Sequence, residues 1–228
     1  MVLLRIFRHR NVTGANVIQA LSVAGLFGVF FLGALYLQRI LDYDALETGF
    51  AFLPLTIAMG TLSVKYSEPL IMKFGARTTL MPGLILIGLA LAVFTFAPVD
   101  GQYWTHIFPV MVLLGIGAGL AFPALMNLAM SSATMEDAGL ASGLVNTSAQ
   151  VGAAMGLAIL ATLSASRTEN LIDEGARMAS ALVGGYHLAF WVAVGLVGLA
   201  LVVAITVLTP SAAPQMPDST PAEDDPRR

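Results

Sequence analysis

Long apolar stretches alternate with short polar segments along the whole of this chain. Each stretch holds about 20 residues, the length at which a helix crosses the hydrocarbon core of a bilayer. The pattern therefore predicts an all-α membrane protein with six spanning helices, a basic interfacial lead-in at residues 1–15 and a disordered tail at residues 209–228. The predicted spans are residues 16–38, 48–64, 80–97, 107–131, 140–164 and 187–208.

The fifth span is rich in small and amide residues. At about 100° per residue, Gly139, Gly143, Asn146 and Gln150 fall on one face of a helix. Small residues four positions apart let a second helix approach closely, and amides within a bilayer need a polar partner or water. We therefore expect tight packing and polar contacts on this face. The predicted packing glycines are Gly139, Gly143, Gly152 and Gly156.

The polarity of the spans repeats with a period of three. The third and sixth contain no amide side chain, whereas the other four carry Asn, Gln, Thr or Ser. Since polar groups in membranes face the bundle interior or an aqueous cavity, we expect lipid contact for the third and sixth spans and a cavity among the rest. This order is typical of transporters built from 3+3 inverted repeats. The candidate cavity residues, each with plain helix packing as its alternative, are Gln19, Phe30, Asn127, Asn146 and Gln150.

Two prolines lie inside predicted spans, Pro54 in the second and Pro123 in the fourth. A proline removes one backbone hydrogen bond of a helix, so both positions are expected to bend the chain. They do not occupy equivalent places in the two triplets of helices, which makes the predicted symmetry partial.

Composition supports a membrane protein. Hydrophobic residues make up 57% of the 228 residues and charged residues 11%, with a mean hydropathy of +0.81, whereas soluble domains carry about 25% charged residues. The absence of cysteine excludes disulfides and thiolate metal sites. We expect no enzyme activity, catalytic residue, metal, bound cofactor or nucleic-acid partner.

The distribution of Lys and Arg predicts the orientation in the cell membrane, because cytoplasmic loops carry an excess of both. With the N-terminus inside, the outer segments hold only Arg39, Arg167 and Arg177. Both termini are therefore expected to be cytoplasmic. The inner segments then hold Arg5, Arg8, Arg10, Lys65, Lys73, Arg77, Arg227 and Arg228.

Four segments, in this order and spacing, resemble the C-terminal half of major facilitator superfamily exporters, most closely the 14-span drug:proton antiporter (EmrB/QacA-like) branch. The opening FRHRNVTGAN resembles the lead into the ninth span of that group, and the resemblance covers residues 5–208. The four segments are YLQRILDYDALETGFAFLP (Tyr36–Pro54), KFGARTTLMPG (Lys73–Gly83), GIGAGLAFPALMNLA (Gly115–Ala129) and GLASGLVNTSAQVGAAMGLAI (Gly139–Ile159).

The resemblance implies one half of a secondary active transporter that exports small amphipathic molecules by alternating access, driven by the proton gradient. It implies that the N-terminal half lies outside this chain and that the chain alone does not transport. Lys73, Gly75 and Arg77 resemble a cytoplasmic loop motif that locks neighbouring helices, with an ordinary basic loop as the alternative. Two positions depart from the family: Asp42, where a small residue or glycine is usual, and Ala149, where a basic residue often precedes the glutamine.

Proton coupling needs a titratable group at membrane depth. Asp42, Asp44, Glu47 and Glu68 all fall in predicted loops, where solvated charge is the default interpretation. The principal coupling carboxylate is therefore expected in the other half of the transporter.

Two other functions are associated with six spanning helices. An intramembrane serine protease also has six spans, with Ser142 as nucleophile and His187 as base, but the two residues begin spans at opposite membrane faces, about 30 Å apart. Nucleophile and base must lie within hydrogen-bond reach, which excludes this function. A stand-alone six-span protein that pairs with a second copy or with a separate half stays open.

Overall fold

The computed structural model describes residues 10–131 and 138–208, which form a bundle of six helices without a strand in either range. Each helix is long and apolar enough to cross a membrane, so the predicted six-span fold is confirmed. Residues 1–9 of the predicted lead-in and the predicted tail at 209–228 lie outside the described residues. The helices are α1 (Arg10–Arg39), α2 (Ala45–Phe74), α3 (Ala76–Phe94), α4 (Tyr103–Met130), α5 (Ala138–Asp173) and α6 (Met178–Thr206).

Two connections are shorter than the sequence predicts. The predicted basic loop at 65–79 is helical up to Phe74. The predicted connection at 165–186, which was expected to be partly helical, is helical over most of its length, since α5 and α6 continue into it and leave only residues 174–177 between them. Hydropathy identifies only the apolar segment of a helix. Polar residues with high helix propensity can extend the helix beyond that segment.

Residues with positive φ follow or join helices at three points: Asp42 after α1, Gly75 between α2 and α3, and Gly175 after α5. Glycine adopts this conformation without strain, whereas a residue with a Cβ loses about 1–2 kcal/mol. Asp42 thus stands where the family resemblance leads one to expect a small residue or glycine, and its φ of 55° is a conformation that glycine adopts without strain. Just beyond it, the Asp44 carboxylate accepts from the Glu47 N–H while the Glu47 carboxylate accepts from the Asp44 N–H, which caps the start of α2.

The helix pairings follow a repeat of three. The triplets α1–α3 and α4–α6 join through equivalent contacts, because α1 packs on α5 and α6 as α4 packs on α2 and α3, with α1 also against α4 and α3 against α6. α1 and α4 are therefore the most buried helices, whereas α2 and α5 are the least. This is the arrangement expected from the resemblance to one half of a major facilitator exporter with a 3+3 repeat, and its centre is the α1–α4 pair.

Glycines on alternate positions of α4 hold it between two neighbours. Gly115 and Gly119 lie against α2, and a Cβ at Gly119 would be 2.8 Å from the Met59 carbonyl oxygen. Gly117 lies on the other side, where a Cβ would be 2.8 Å from the Gly83 carbonyl oxygen of α3. Since neighbouring backbones touch on both sides, α4 has no room for side chains at these positions.

The packing face of α5 differs from the predicted one. Gly152 and Gly156 lie directly against the backbone of α1, where any Cβ would overlap it. Gly139 and Gly143 face open space, with no atom within 4 Å of a Cβ built on either, so no helix of the described chain packs against them. All four were predicted to pack because each is small enough for close approach. Only Gly152 and Gly156, four residues apart, lie on the side of α5 that contacts α1.

Candidate functional site

A proline in α4 and a hydroxyl in α2 form a link between the two helices. Pro123 has no N–H, so the carbonyl of Gly119, four residues earlier, loses its partner within the helix. The Ser63 hydroxyl of α2 donates to this carbonyl at 3.3 Å. Ser63 lies in the π-helical segment Leu62–Ser67, an irregularity that is frequent at functional sites. The position at which the sequence predicts a bend is therefore hydrogen-bonded to an irregular stretch of the neighbouring helix.

The second predicted bend, at Pro54, coincides with a break in α2. One segment ends at Ala51, the next begins at Leu53 with Pro54 in its first turn, and Phe52 lies between them. The ring of Phe52 stacks on Phe30 of α1 with the centroids 5.5 Å apart. Phe30, a candidate cavity residue, thus supports the break in α2 and is still partly exposed.

A pocket of about 440 Å³ lies between α2 and α4, and Ser63 and Pro123 are part of its wall. It brings together the Glu68 carboxylate, the Asn127 amide and the Ser63 hydroxyl with the flexible thioethers of Met72 and Met126. Methionines adapt to ligands of different shape, and a single carboxylate with an amide can bind the polar end of an amphipathic molecule. The pocket has the composition of a permissive small-molecule site.

Glu68 was missed as a site residue because the predicted second span stopped at residue 64. The structure places Glu68 in helix α2 rather than in a loop, and its side chain lines the pocket with Asn127. The signal in the sequence was the apolar pair Leu70 and Ile71 beyond it, which extends the helical pattern of α2 by two turns.

The remaining amide candidates lie elsewhere. Asn146 and Gln150 are exposed on α5, on a part of its surface that no helix of the described chain covers. The Gln19 side-chain oxygen is buried without a hydrogen-bond partner among the described residues. The amide that joins helices is Asn16, whose oxygen accepts from the Ser148 hydroxyl of α5 at 2.9 Å. The four amide candidates are therefore not gathered into one site within this chain.

The predicted loop motif connects three helices at the end of the bundle where α1 begins and α6 ends. Gly75 makes the turn with φ 86°. The Arg77 guanidinium donates to the carbonyl of Ile205 at 2.8 Å, and Arg10 of α1 donates to that of Thr206 at 3.4 Å, so both arginines cap the C-terminus of α6. Lys73 is exposed, with its ammonium 5.2 Å from the centre of the Phe74 ring.

At the opposite end, two side chains hold the connection between α3 and α4. The Tyr36 hydroxyl donates to the Pro98 carbonyl, and His187 Nε2 donates to the Ala97 carbonyl at 2.8 Å. His187 is therefore hydrogen-bonded to the connection between α3 and α4 and not to Ser142, in agreement with the exclusion of a protease.

The outer surfaces of the helices fall into two kinds. From residue 82 to residue 96 of the α3 region, and from 188 to 205 of α6, every exposed residue is apolar or glycine, as lipid contact requires. The two least covered helices, α2 and α5, instead expose polar side chains within their spans. These are Thr56, Thr61, Lys65 and Glu68 on α2, and Asn146, Thr147, Gln150 and Thr162 on α5.

Comparison with known proteins extends this description. Residues 2–157 match the family model of the Major Facilitator Superfamily. The chain is similar to the puromycin resistance protein pur8 of Streptomyces alboniger, with 35% identity over 86% of this chain and 40% of the relative. It is also similar to the cephamycin export protein CmcT of Amycolatopsis lactamdurans, with 32% identity over 95% of this chain and 42% of the relative.

A third relative is a multidrug resistance protein B homolog of Mycobacterium tuberculosis strain H37Rv, with 26% identity over 70% of this chain and 30% of the relative. The chain thus spans less than half the length of each of these relatives. Their names describe resistance and export, so the similarity is to transporters and not to enzymes.

Proposed function

Because the chain belongs to the major facilitator superfamily, we propose that it works as the C-terminal half of a 14-span drug:proton antiporter. It is a multi-pass membrane protein related to resistance and export proteins. In the proposed cycle this half and its N-terminal counterpart rock about a shared cavity, and small amphipathic molecules leave the cell at the expense of the proton gradient. No cofactor is needed beyond that gradient.

The observation that carries this proposal is the polar surface of α2 and α5. Polar side chains are costly against lipid, so they call for a protein or aqueous partner. The exposed residues of α3 and α6 are apolar or glycine from residue 82 to 96 and from residue 188 to 205, so these surfaces need no such partner. A second bundle packed against α2 and α5 would cover their polar surfaces and leave the apolar surfaces of α3 and α6 to lipid.

The link between α2 and α4 supports a role in alternating access. α2 is interrupted at Phe52 and again by its π-helical segment, and the Ser63 hydroxyl joins it to the Gly119 carbonyl, which Pro123 leaves unpaired in α4. Such irregular points absorb changes in backbone angle while the rest of each helix stays rigid. The pocket of Glu68 and Asn127 lies beside these points and would change shape with them.

Transport by the chain with and without its counterpart tests the half-transporter proposal. We expect no puromycin or ethidium efflux from proteoliposomes holding the chain alone. Efflux should appear when the chain replaces the matching segment of the puromycin resistance relative, and it should stop when nigericin collapses the pH gradient. Efflux by the chain alone would contradict the proposal. Disulfide-linked pairs of the Gln150→Cys variant of this cysteine-free chain, together with such efflux, would instead show a self-pairing six-span transporter.

We also propose that both chain termini are cytoplasmic, on the basis of the Lys and Arg distribution. An impermeant maleimide should label Asp100→Cys and Glu174→Cys in intact cells, and Lys73→Cys only after permeabilisation. All three residues are exposed, so accessibility does not differ between them for reasons of burial. The reverse labelling pattern would mean the opposite orientation.

A cavity role for the α5 amides predicts a change in substrate range. In the whole exporter, replacing Asn146 and Gln150 together by leucine should alter efflux of at least one substrate by roughly ten-fold, because a lost hydrogen bond to a ligand has about that effect. Val151→Leu, an exposed apolar position on the same helix, is the control. Unchanged efflux of every compound tried would count against the role.

A further inference from the structure

A second pocket, of about 340 Å³, lies between α1, α5 and α6 near the end of the bundle away from the chain termini. We name it the distal pocket. Phe31 and Leu35 of α1 give it an apolar wall, and Arg39, Glu169 and Tyr186 contribute polar groups from three different helices. Its volume falls in the range of small-molecule sites, about 300–1,000 Å³.

The Tyr186 hydroxyl is a buried group without a partner. The residue is 2% exposed, and its hydroxyl has no hydrogen bond to any described residue. Arg39, at the last turn of α1, lines the same pocket as Tyr186. A buried polar group left unpaired is costly, so such a group in a folded protein points to a partner that the chain itself does not supply.

Two opposite charges line the same pocket without neutralising each other. Arg39 and Glu169 make no ion pair or hydrogen bond within the described part of the chain. The wall between them is firm, because the buried Thr168 hydroxyl donates to the Ser164 carbonyl at 2.8 Å and Gly185 of α6 packs directly on Thr168. Arg39 and Glu169 are both exposed where they line the pocket, and a cation and an anion lining one cavity match a ligand that carries both charges.

We propose that the distal pocket binds the head of a zwitterionic amphiphile, a function beyond the proposed export activity. The acidic group lies at Arg39 and the Tyr186 hydroxyl, and the ammonium lies at Glu169. The apolar part follows Phe31, which is 45% exposed and continues the pocket onto the uncovered surface of α1. The shared chemistry is a phosphate or carboxylate joined to an amine, either in a membrane phospholipid such as phosphatidylethanolamine or in a soluble zwitterion.

Native mass spectrometry of the delipidated chain tests this binding. Dioleoylphosphatidylethanolamine should be retained in preference to dioleoylphosphatidylglycerol, which lacks the amine. Arg39→Gln should weaken retention of both lipids by roughly ten-fold, the effect of one charge-assisted hydrogen bond. Glu169→Gln should remove the preference and leave the anionic lipid bound. The controls are Arg167→Gln and Glu174→Gln, exposed charges outside the pocket, which should behave as the wild type.

Tyr186→Phe separates a ligand contact from a structural role. Because the hydroxyl is unpaired in the empty pocket, the phenylalanine variant should be at least as stable to heat as the wild type without lipid, yet retain phosphatidylethanolamine more weakly. Soluble phosphoethanolamine, added as a competitor, identifies the source: displacement at equal affinity indicates a soluble zwitterion, and no displacement indicates the lipid. Equal retention of both lipids by the wild type, or wild-type binding by both Arg39→Gln and Glu169→Gln, would overturn the proposal.

Discussion

Gly156→Ala is expected to destabilise the bundle by about 1–3 kcal/mol or more, the cost of inserting atoms into a filled contact. The new Cβ would overlap both the Cα and the Cβ of Ala24 in α1, so the two helices would have to separate along their whole contact. The α1–α5 contact joins the two triplets of the repeat, and its loss should therefore abolish transport by the whole exporter. Thermal unfolding in detergent, followed by helical circular dichroism, measures the loss of stability.

Gly143→Ala is the matched control on the same helix. A Cβ at Gly143 meets no atom within 4 Å. Alanine also has the higher helix propensity, by up to about 1 kcal/mol, so this variant should be as stable as the wild type or slightly more stable. Equal behaviour of the Gly143 and Gly156 variants would contradict the packing of α5 on α1 that the structure shows.

Pro123→Ala is expected to lower transport by the whole exporter roughly ten-fold, equivalent to about 1.4 kcal/mol on the rate-limiting step, while leaving the fold intact. Alanine supplies the N–H that proline lacks, so the Gly119 carbonyl regains a partner within α4 and the bend relaxes. The Ser63 hydroxyl of α2 would then no longer be needed to pair the Gly119 carbonyl of α4. Initial efflux rates and thermal unfolding of the same preparations measure the two effects.

The Ser63 hydroxyl, which donates to the Gly119 carbonyl, allows a quantitative test of the coupling between Ser63 and Pro123. Ser63→Ala alone should cost about 1 kcal/mol of stability, since the Gly119 carbonyl is left without a donor. In the Pro123→Ala background the same change should cost little, because the carbonyl is already paired within its helix. Additive effects in this double-mutant cycle would show that the serine and the proline act separately.

The sequence was sufficient for the number of helices and for the apolar outer surfaces of α3 and α6, because hydropathy and polarity act along one helix at a time. Contact of these two helices with lipid stays a prediction. Helix ends were predicted less well, since hydropathy stops at residue 64 of α2 whereas the helix continues to Phe74. This difference hid Glu68. A bilayer limits the apolar length of a helix and does not limit how far the helix projects beyond it.

The packing of α5 and the Ser63–Gly119 hydrogen bond could not be predicted, for a different reason. Both depend on which sides of two distant helices meet, and Ser63 and Gly119 are 56 residues apart. Small residues occur on more than one side of α5, so composition alone does not choose between Gly139 and Gly156 as contact positions. Only the relative rotation of the helices decides, and no local pattern encodes it.

The short connection between α5 and α6 has a consequence for studying motion in this protein. The N–H groups of Gly175 and Ala176 donate to the carbonyls of Ile172 and Leu171 and so close the end of α5. Only residues 174–177 join the two helices, and Gly185 packs on Thr168. These two helices thus form a stiff hairpin, whereas α2 carries two irregular points. Spectroscopic probes attached to the hairpin would serve as a fixed frame of reference, against which probes along α2 would record how far the chain bends.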